Sequence, residues 1–354
     1  MVKAKFFDPK WKTITITGGT GSFGKTLIES LLQNDVEEIR VLSRDEVKQE
    51  ELRNRFSDPR IRLILGDVRD RESVRSSLEI NKKVSDAVFH AAALKQVPNS
   101  EFFPNEAIAT NVMGTLNLIQ TCNYLDVKKV VFLSTDKAVY PINTMGMTKA
   151  LMEKICVANS YRRRLESEPQ AYCVTRYGNV LASRGSVIPT FVKQYRKYGE
   201  IYITNPSMTR FLMSLEQAIK LVYFAMENGQ NGDIFVQKSP AATLEDLAVA
   251  VITILGGSSK HIKIGNTRHG EKLHETLIAS EEFSRTEDLE NYYRICPDSR
   301  PMDYDLYFKN QESKQENIQK TYSSENTEQL DVTQIIKLLC DVGLNEKIIK
   351  GSFE

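Results

Sequence analysis

Residues 13–24 read Thr13-Ile14-Thr15-Ile16-Thr17-Gly18-Gly19-Thr20-Gly21-Ser22-Phe23-Gly24, and this stretch decides the fold class. Its alternating Thr and Ile residues are typical of a β-strand, and glycines at GxxGxxG spacing follow directly. Glycine lets the chain turn sharply against a bound pyrophosphate, whose charge the N-terminus of the next helix stabilises. The stretch therefore predicts a dinucleotide-binding loop. The expected contacts are Gly18, Thr20, Gly21, Ser22, Phe23 and Gly24.

Outward from this loop, short β-branched runs alternate with helix-length amphipathic segments up to about residue 180. The strand candidates are Thr13–Thr17, Ile39–Leu42, Ile61–Leu65, Ala87–His90, Val130–Ser134 and Tyr172–Arg176. The helix candidates include Lys25–Gln33, Glu72–Leu78, Asn105–Tyr124 and Met145–Tyr161. Such alternation is typical of a parallel sheet covered by helices on both faces. We predict an α/β fold, a Rossmann-type doubly wound parallel sheet over residues 1–180, to which parts of 210–240 return.

The second half of the chain is richer in turns and predicts a smaller C-terminal lobe. We assign residues 181–310 to this substrate-binding lobe, with a helix at Ser214–Asn228 and a strand at Asp233–Gln237. Residues 311–354 are expected to form a polar arm and a last helix at Val332–Cys340, because Asn310–Thr327 carries few apolar side chains. An arm that cannot bury itself favours contacts within an oligomer.

Composition excludes several functional classes. The chain has 354 residues and a net charge of only +1, so no overall field attracts nucleic acid or an anionic membrane. Its five cysteines are scattered without zinc spacing, which predicts reduced thiols and no metal site. The N-terminus shows no apolar targeting segment, and we expect a cytoplasmic protein.

The end of the second predicted strand indicates which dinucleotide binds. Ser43 and Arg44 stand where an NAD-binding protein places a carboxylate for the ribose 2′-hydroxyl. A guanidinium instead matches the 2′-phosphate of NADP, so NADP is the expected cofactor. The small residues after the fourth strand allow a dinucleotide to lie close to the backbone. The remaining cofactor-binding candidates are Asp45, Lys48, Asp67, Val68, Ala91, Ala93, Lys95, Asn111 and Lys149.

A family resemblance rests on the stretch from Leu133 to Lys149, LSTDKAVYPINTMGMTK, together with RYGNV at 176–180, MTRF at 208–211 and RHGEK at 268–272. From about Lys12 to Tyr304 the chain resembles the extended short-chain dehydrogenases/reductases. Within them it is most similar to the capsule and O-antigen UDP-N-acetylglucosamine 4,6-dehydratases that invert C5. The resemblance implies NADP, a UDP-N-acetylhexosamine substrate and a hexamer.

Met145 departs from the wider family, in which a tyrosine four residues before the lysine takes the alcohol proton. A thioether is no useful base, and Lys149 follows at the usual spacing, so the chain has MxxxK in place of YxxxK. The dehydratase subgroup that the sequence resembles shows the same MxxxK. Tyr140 is an alternative base, although it lies five residues away in the sequence.

The remaining acid–base candidates are Asp136 and Lys137. A lysine held neutral by its surroundings would remove the C5 proton, and a protonated aspartate would donate to the departing C6 hydroxyl. Thr135 is placed to bind the C4 oxygen and Lys149 the nicotinamide ribose. The histidines lack a partner nucleophile, so no catalysis is assigned to them. The substrate-binding candidates that the resemblance implies are Lys95, Asn179, Val187, Pro189, Phe191, Thr209, Arg210 and Arg268.

Two other functions stay open at this point. A UDP-hexose 4-epimerase shares the fold, the cofactor and the C4 oxidation, but it loses no water and has no use for the Asp136–Lys137 pair. A non-catalytic NADP-binding regulator would have kept the glycine loop and lost the tyrosine. The sequence also leaves open whether C3 is epimerised.

Overall fold

The computed structural model describes residues 10–165, 170–183, 185–266, 270–298 and 320–353. The elements of the first half, in chain order, are β1 (Thr13–Thr17), α1 (Ser22–Leu31), β2 (Glu38–Ser43), α2 (Glu46–Arg55), β3 (Ile61–Leu65), α3 (Arg71–Leu78), β4 (Glu79–Ile80), β5 (Lys83–Val84), β6 (Ala87–His90), α4 (Val97–Phe102), α5 (Pro104–Ala107), a π-helical turn (Ile108–Met113), α6 (Gly114–Tyr124), β7 (Lys129–Leu133), a 3-10 turn (Asp136–Ala138), α7 (Thr144–Leu165) and β8 (Ala171–Arg176).

The second half continues with shorter strands and helices. Its elements are β9 (Asn179–Val180), α8 (Val187–Tyr198), β10 (Ile201–Ile203), β11 (Thr209–Met213), α9 (Leu215–Asn228), β12 (Ile234–Gln237), β13 (Ala241–Thr243), α10 (Leu244–Ile254), a 3-10 turn (Ser259–His261), β14 (Ile262–Ile264), β15 (Thr276–Ile278), a 3-10 turn (Ser280–Arg285), β16 (Thr286–Leu289), β17 (Tyr292–Ile295), β18 (Tyr322–Ser323), α11 (Val332–Asp341) and α12 (Leu344–Lys350).

Among the described residues, nine strands form the main sheet in the order β16-β17-β12-β8-β7-β6-β1-β2-β3. β1 pairs in parallel with both β2 and β6, and the sheet grows from it in both directions. The connection after β1 leads to β2 on one side, and the connection after β6 leads to β7 on the other, so a crevice opens between the carboxyl ends of β1 and β6. The predicted Rossmann-type doubly wound fold is confirmed.

The sheet separates two hydrophobic cores, because successive side chains of a strand point to opposite faces. In β7, Val131 and Leu133 pack into the core beneath α1 and α9. Val130 and Phe132 pack into the other core, with α3, α6 and α7. Fully buried strands of this kind explain the nearly continuous apolar runs in the sequence.

Two segments differ from the expected division of the chain. Residues 286–295, expected in the substrate lobe, form β16 and β17, an antiparallel edge of the main sheet. The predicted helix Asn105–Tyr124 is divided into α5, the π-helical turn and α6. Among the described helices, none combines the length and the apolar composition needed to span a bilayer.

The end of the chain corrects the prediction of an exposed arm up to Thr327. Tyr322, Ser323 and Ser324 are buried, and β18 pairs with β15. The Tyr322 ring packs against Phe211 at 5.4 Å, and its hydroxyl donates to the Ser239 carbonyl at 3.0 Å. The Tyr322 ring, the pairing with β15 and hydrogen bonds from Ser324 and Thr327 hold this polar segment on the lobe. The first part of the expected arm, up to residue 319, lies outside the described residues.

The last helices also pack within their own chain. Ile335 and Leu339 of α11 and Leu344 and Ile348 of α12 share the lobe's core with α8 and α10. Removing everything after Asn310 would expose this core, so such a truncation cannot test oligomer contacts alone. The hexamer stays a prediction.

Arg176 at the end of β8 ties the sheet to α7 and to the 3-10 turn before β16. It donates to Glu153 at 2.7 and 2.9 Å and to Glu282 at 2.7 and 2.8 Å, and Arg176 and Glu153 are both buried. Burial alone would raise the pKa of Glu282, but the Arg176 guanidinium outweighs it and lowers that pKa.

We expect Arg176→Met to lower the free energy of unfolding by about 3 to 5 kcal/mol, because Glu153 would stay buried without its cation and Glu282 would lose its bidentate partner. Urea unfolding measures the loss. Lys220→Met is the control, since it removes an exposed ion pair with Glu216 and should cost less than about 1 kcal/mol. Equal effects of the two substitutions would contradict this account.

Candidate active site

A cleft of about 800 Å³ runs along the carboxyl edge of the main sheet and reaches the smaller lobe. Parallel open sheets bind their ligands at this edge. The structure brings most of the predicted site residues together on its walls. They are Gly18, Thr20, Gly21, Ser22, Phe23, Gly24, Ser43, Arg44, Asp45, Lys48, Asp67, Val68, Ala91, Ala93, Lys95, Thr135, Asp136, Lys137, Met145, Lys149, Asn179, Val187, Phe191 and Arg210.

Four predicted contacts are not seen on the cleft wall. Asn111 lies in the π-helical turn. Its Oδ1 accepts from the Leu94 N–H at 2.8 Å, and its Nδ2 donates to the Leu94 carbonyl oxygen at 3.0 Å. It thus supports the wall from behind. Thr209 directs its hydroxyl to His274 Nδ1 at 2.8 Å, and Pro189 also lies off the wall. Arg268 lies outside the described residues.

The glycine loop between β1 and α1 has the close packing that its sequence predicts. Gly18 has φ +72°, and a Cβ there would lie 2.7 Å from Ala92 Cα. A Cβ on Gly24 would lie 2.3 Å from the Gly19 carbonyl oxygen, so α1 can start this close to β1 only with glycine. Gly21 at the N-cap makes no side-chain cap, and the helix presents its first N–H groups to the cleft. Such an N-terminus suits a phosphate.

The corner at the end of β2 carries two cations beside two carboxylates. The Arg44 guanidinium lies 3.5 Å from Asp67, and Lys48 pairs with Asp45, which also caps α2. Ser43 is buried and shares a hydrogen bond of 2.9 Å with Thr20 of the glycine loop. The Arg44 side chain keeps 47% of its surface exposed and can turn toward a ligand.

The 3-10 turn after β7 places the buried carboxylate of Asp136 next to the ammonium of Lys137. Asp136 is fully buried, and its Oδ1 accepts from Thr135 Oγ1 at 2.8 Å and from Lys137 Nζ at 3.0 Å. Lys137 Nζ also lies 3.1 Å from Glu275 Oε1 of the segment before β15. One ammonium therefore joins two buried carboxylates.

Burial raises the pKa of Asp136, and the nearby Glu275 carboxylate raises it further against the opposing charge of Lys137. Burial lowers the pKa of Lys137, but Asp136 and Glu275 outweigh it, so the pKa of Lys137 is raised. The expectation that the surroundings hold Lys137 neutral is therefore wrong for the ligand-free site. The reason is the two carboxylates around the ammonium, first Asp136 and then Glu275, the second of which the sequence did not place there.

Glu275 and Lys272 are site residues that sequence reasoning missed. Both follow the predicted substrate contact Arg268 by a few positions, and Lys272 donates to the Val139 carbonyl oxygen at 2.5 Å. Glu275 is 2% exposed and lines the cleft. The signal in the sequence was the RHGEK motif at 268–272, from which only Arg268 was predicted as a contact. Lys272 ends this motif, and Glu275 follows it by three residues.

Met145 and Lys149 open α7 along the cleft, and both are nearly fully buried. Lys149 Nζ donates to the Leu133 carbonyl oxygen at 2.8 Å, and burial lowers its pKa to about 8. Tyr140 is not on the cleft wall, since its hydroxyl bonds Glu281 at 2.7 Å and lies 3.0 Å from Ser280 Oγ. The geometry disfavours Tyr140 as a replacement for the missing phenol.

A Rossmann-type sheet with a glycine loop and an aspartate–lysine pair at its carboxyl edge is the arrangement of an enzyme of the extended short-chain dehydrogenase/reductase class. The chain belongs to the polysaccharide biosynthesis protein family, whose model matches residues 14–297, and a model of the family's C-terminal region matches residues 298–344. The chain is thus an enzyme of the nucleotide-sugar dehydratase or epimerase kind.

Relatives and solved structures agree with this family. A protein from Rickettsia bellii named UDP-glucose 4-epimerase is 48% identical over 96% of this chain and 99% of its own length. The structure of Pen from Bacillus thuringiensis is 33% identical, with a TM-score of 0.84 over 96% of this chain and all of that one. The dTDP-glucose 4,6-dehydratase DesIV from Streptomyces venezuelae, 22% identical, has a TM-score of 0.66 over 73% of this chain and 86% of its own, and shows the shared fold.

We expect Lys149→Met to raise the free energy of unfolding of the ligand-free protein at pH 7 by about 2 kcal/mol. A lysine whose folded pKa is about 8 disfavours folding below that pH, because burial opposes its charge. The gain should shrink as the pH rises from about 8 toward the unfolded value of 10.5.

Urea unfolding at pH 7 and pH 10 measures this difference. Lys154→Met on the exposed side of the same helix is the matched control and should change stability by less than about 0.5 kcal/mol. A destabilised Lys149→Met protein at pH 7 would refute the argument.

Proposed function

We propose that the protein is an NADP-dependent UDP-N-acetylglucosamine 4,6-dehydratase that inverts C5, forming a UDP-4-keto-6-deoxy-L-hexosamine for capsule or lipopolysaccharide synthesis. The observation that carries this proposal is the hydrogen-bonded Asp136–Lys137 pair on the same cleft wall as Met145, in which Asp136 is fully buried and the Lys137 side chain is 21% exposed. Elimination of water needs an acid and a base near C5 and C6, and this pair supplies both. A cytoplasmic location belongs to the same proposal.

The cleft fits a nicotinamide dinucleotide. A Cβ at Gly21 would lie 3.6 Å from the Gly18 carbonyl oxygen, next to the first turn of α1, where a pyrophosphate would lie. Ser43, Arg44 and Lys48 would hold a 2′-phosphate at the corner after β2, where the two cations lie beside Asp67 and Asp45. Lys149 would bind the nicotinamide ribose. When bound, NADP would accept hydride from C4 and return it to C6.

A single proton shift converts the resting pair into the two groups that the reaction needs. Moving one proton from Lys137 Nζ to Asp136 Oδ1, along their 3.0 Å hydrogen bond, leaves a neutral amine and a carboxylic acid. Burial favours these neutral forms. The amine then removes the C5 proton, and the acid protonates the departing C6 hydroxyl, which leaves as water. A solvent proton added to C5 on the opposite face completes the inversion, Lys137 releases the proton that it removed to solvent, and Thr135 holds the C4 oxygen.

Unpartnered polar atoms in the lobe support a polar ligand there. Asn179 Oδ1 and Ser186 Oγ are buried and have no hydrogen-bond partner among the described residues. Both residues line the cleft, as do Val187, Phe191 and Arg210. Arg210 would pair with the substrate diphosphate, and Lys95 would lie near the hexose.

The second candidate is a UDP-hexose 4-epimerase, which the name of the Rickettsia relatives favours. A 4-epimerase returns hydride to C4 and needs no acid at C6, so it would leave Asp136 without a task. Incubation with UDP-N-acetylglucosamine separates the two by mass spectrometry. The dehydratase forms a product lighter by one water, whereas the epimerase forms an isomer of equal mass. Absence of any turnover would favour the third candidate, a non-catalytic NADP-binding regulator.

We expect Arg44→Asp to move the preference from NADP toward NAD by about 30- to 1,000-fold, which corresponds to roughly 2 to 4 kcal/mol for a charge-assisted hydrogen-bond pair. Titration calorimetry with both cofactors measures the ratio. Arg53→Asp on the exposed surface of α2 is the control and should leave the ratio unchanged. Equal affinity of the unaltered protein for both cofactors would rule out the role of Arg44.

The catalytic roles predict an order of effects on turnover. Lys137→Ala and Asp136→Asn should each lose about two to four powers of ten, the usual contribution of a general acid or base. Met145→Ala should lose much less, because it removes packing and no proton carrier. In deuterated water, the product should carry deuterium at C5. A Met145→Ala protein as inactive as Lys137→Ala, or a product without deuterium at C5, would refute these roles.

A further inference from the structure

The Lys137 ammonium is held from two sides by carboxylates that come from different parts of the fold. Asp136 Oδ1 lies 3.0 Å and Glu275 Oε1 3.1 Å from Lys137 Nζ. Each carboxylate keeps one further buried oxygen, Asp136 Oδ2 and Glu275 Oε2, without a hydrogen-bond partner among the described residues. Glu275 is therefore part of the cluster by geometry, and the proposed reaction has given it no role.

The other charges near this cluster are cationic. The charge of Arg210 of β11 lowers the pKa of both Lys137 and Glu275, and the charge of Lys272 lowers that of Glu275. His274 points elsewhere, with Nδ1 at 2.8 Å from Thr209 Oγ1 and Nε2 at 3.7 Å from Glu325. Burial alone would raise the pKa of Glu275, but Lys137, Arg210 and Lys272 outweigh it and lower that pKa. Glu275 is thus the member of the cluster that keeps its negative charge.

The backbone of Glu275 is fastened by the segment that returns from the end of the chain. Ser324 is fully buried, and its N–H donates to the Glu275 carbonyl at 2.7 Å. The Glu275 N–H in turn donates to Ser324 Oγ at 2.8 Å. The same hydroxyl shares a hydrogen bond of 2.7 Å with Thr209. This reciprocal pair fixes where the Glu275 side chain starts, and therefore how far it reaches.

We propose that Glu275 is a positioning residue that keeps the working proton on the Asp136–Lys137 pair, and that Ser324 holds Glu275 in place for this task. The proposal rests on the function proposed above. A fixed negative charge 3.1 Å from Lys137 raises the affinity of both partners of the pair for protons. The pair then retains the one proton that it must share between base and acid.

Removal of the Glu275 charge should shift the pH dependence of the reaction in one direction. In Glu275→Gln, the proton affinities of Asp136 and Lys137 both fall, so both limbs of a bell-shaped profile of kcat against pH move to lower pH. We expect a displacement of about one to three pH units, the usual effect of one charge at this distance. Glu275→Asp keeps the charge, so its profile should stay near that of the unaltered protein even if its kcat is lower. Ser324→Ala should move the profile in the same direction as Glu275→Gln, but less.

A second measurement does not depend on turnover. In ligand-free protein with 13C at the aspartate side-chain carboxyls, the Asp136 signal is assigned by its loss in Asp136→Asn. We expect this carboxyl to titrate at a lower pH in Glu275→Gln than in the unaltered protein. Should the unaltered protein prove inactive, the proposed function would fail, and this titration would still decide the role of Glu275.

The matched control is Glu325→Gln, which removes a carboxylate next to Ser324 that is 68% exposed and off the cleft wall. It should leave both the pH profile and the Asp136 titration unchanged. An unchanged Asp136 titration in Glu275→Gln would overturn the proposal. So would a Glu275→Gln profile that loses height at every pH without moving, since a merely structural role predicts that result.

Discussion

The contact of one ammonium with two carboxylates organises this molecule. Lys137 belongs to the turn at the end of β7, and Glu275 to the segment that enters β15. Further bonds join the same two regions, from Asn143 Nδ2 to the Gly270 carbonyl at 2.9 Å and from Lys272 to the Val139 carbonyl. These contacts fix the two regions against each other on one wall of the cleft. Without the Lys137 ammonium, the Asp136 and Glu275 carboxylates would be buried next to each other with no compensating charge.

The same region contains buried polar groups that lower the stability of the fold. Lys149 is buried with a hydrogen bond to one backbone carbonyl, and burial lowers its pKa to about 8. Several other buried polar atoms of the cleft have no partner among the described residues. The Arg176 cluster is different, because its guanidinium forms hydrogen bonds with both Glu153 and Glu282. These bonds join β8, α7 and the 3-10 turn before β16. A buried cluster whose hydrogen bonds are all made, like that of Arg176, stabilises the fold. Buried polar atoms without partners, like those of the cleft, are typical of a binding site.

Met145 shows why one exchanged side chain changes the chemistry without changing the fold. It fills its place at the start of α7 as a buried apolar residue, and Lys149 follows one turn later on the same side of the helix. The fold keeps both positions on the cleft wall, but a thioether carries no proton. In the proposed reaction, proton transfer falls to the neighbouring turn, where burial and the second carboxylate act on Asp136 and Lys137. Tyr140 does not compensate, because its hydroxyl is bonded to Glu281.

The sequence by itself determined the doubly wound sheet, the glycine loop and the Asp136–Lys137 pair. These features follow from local periodicity and from residues adjacent in the chain, and local patterns report them directly. Only the tertiary structure decided that Glu275 meets Lys137, that Ser324 fastens Glu275, and that Asn111 supports the wall from behind. It also placed Tyr322 in the lobe instead of on an exposed arm. These contacts join residues that are far apart in the chain, and the charge state of Lys137 depends on them. The reason is that burial and Coulomb interactions act through space, so the pKa of a group is set by neighbours that its own stretch of sequence does not contain.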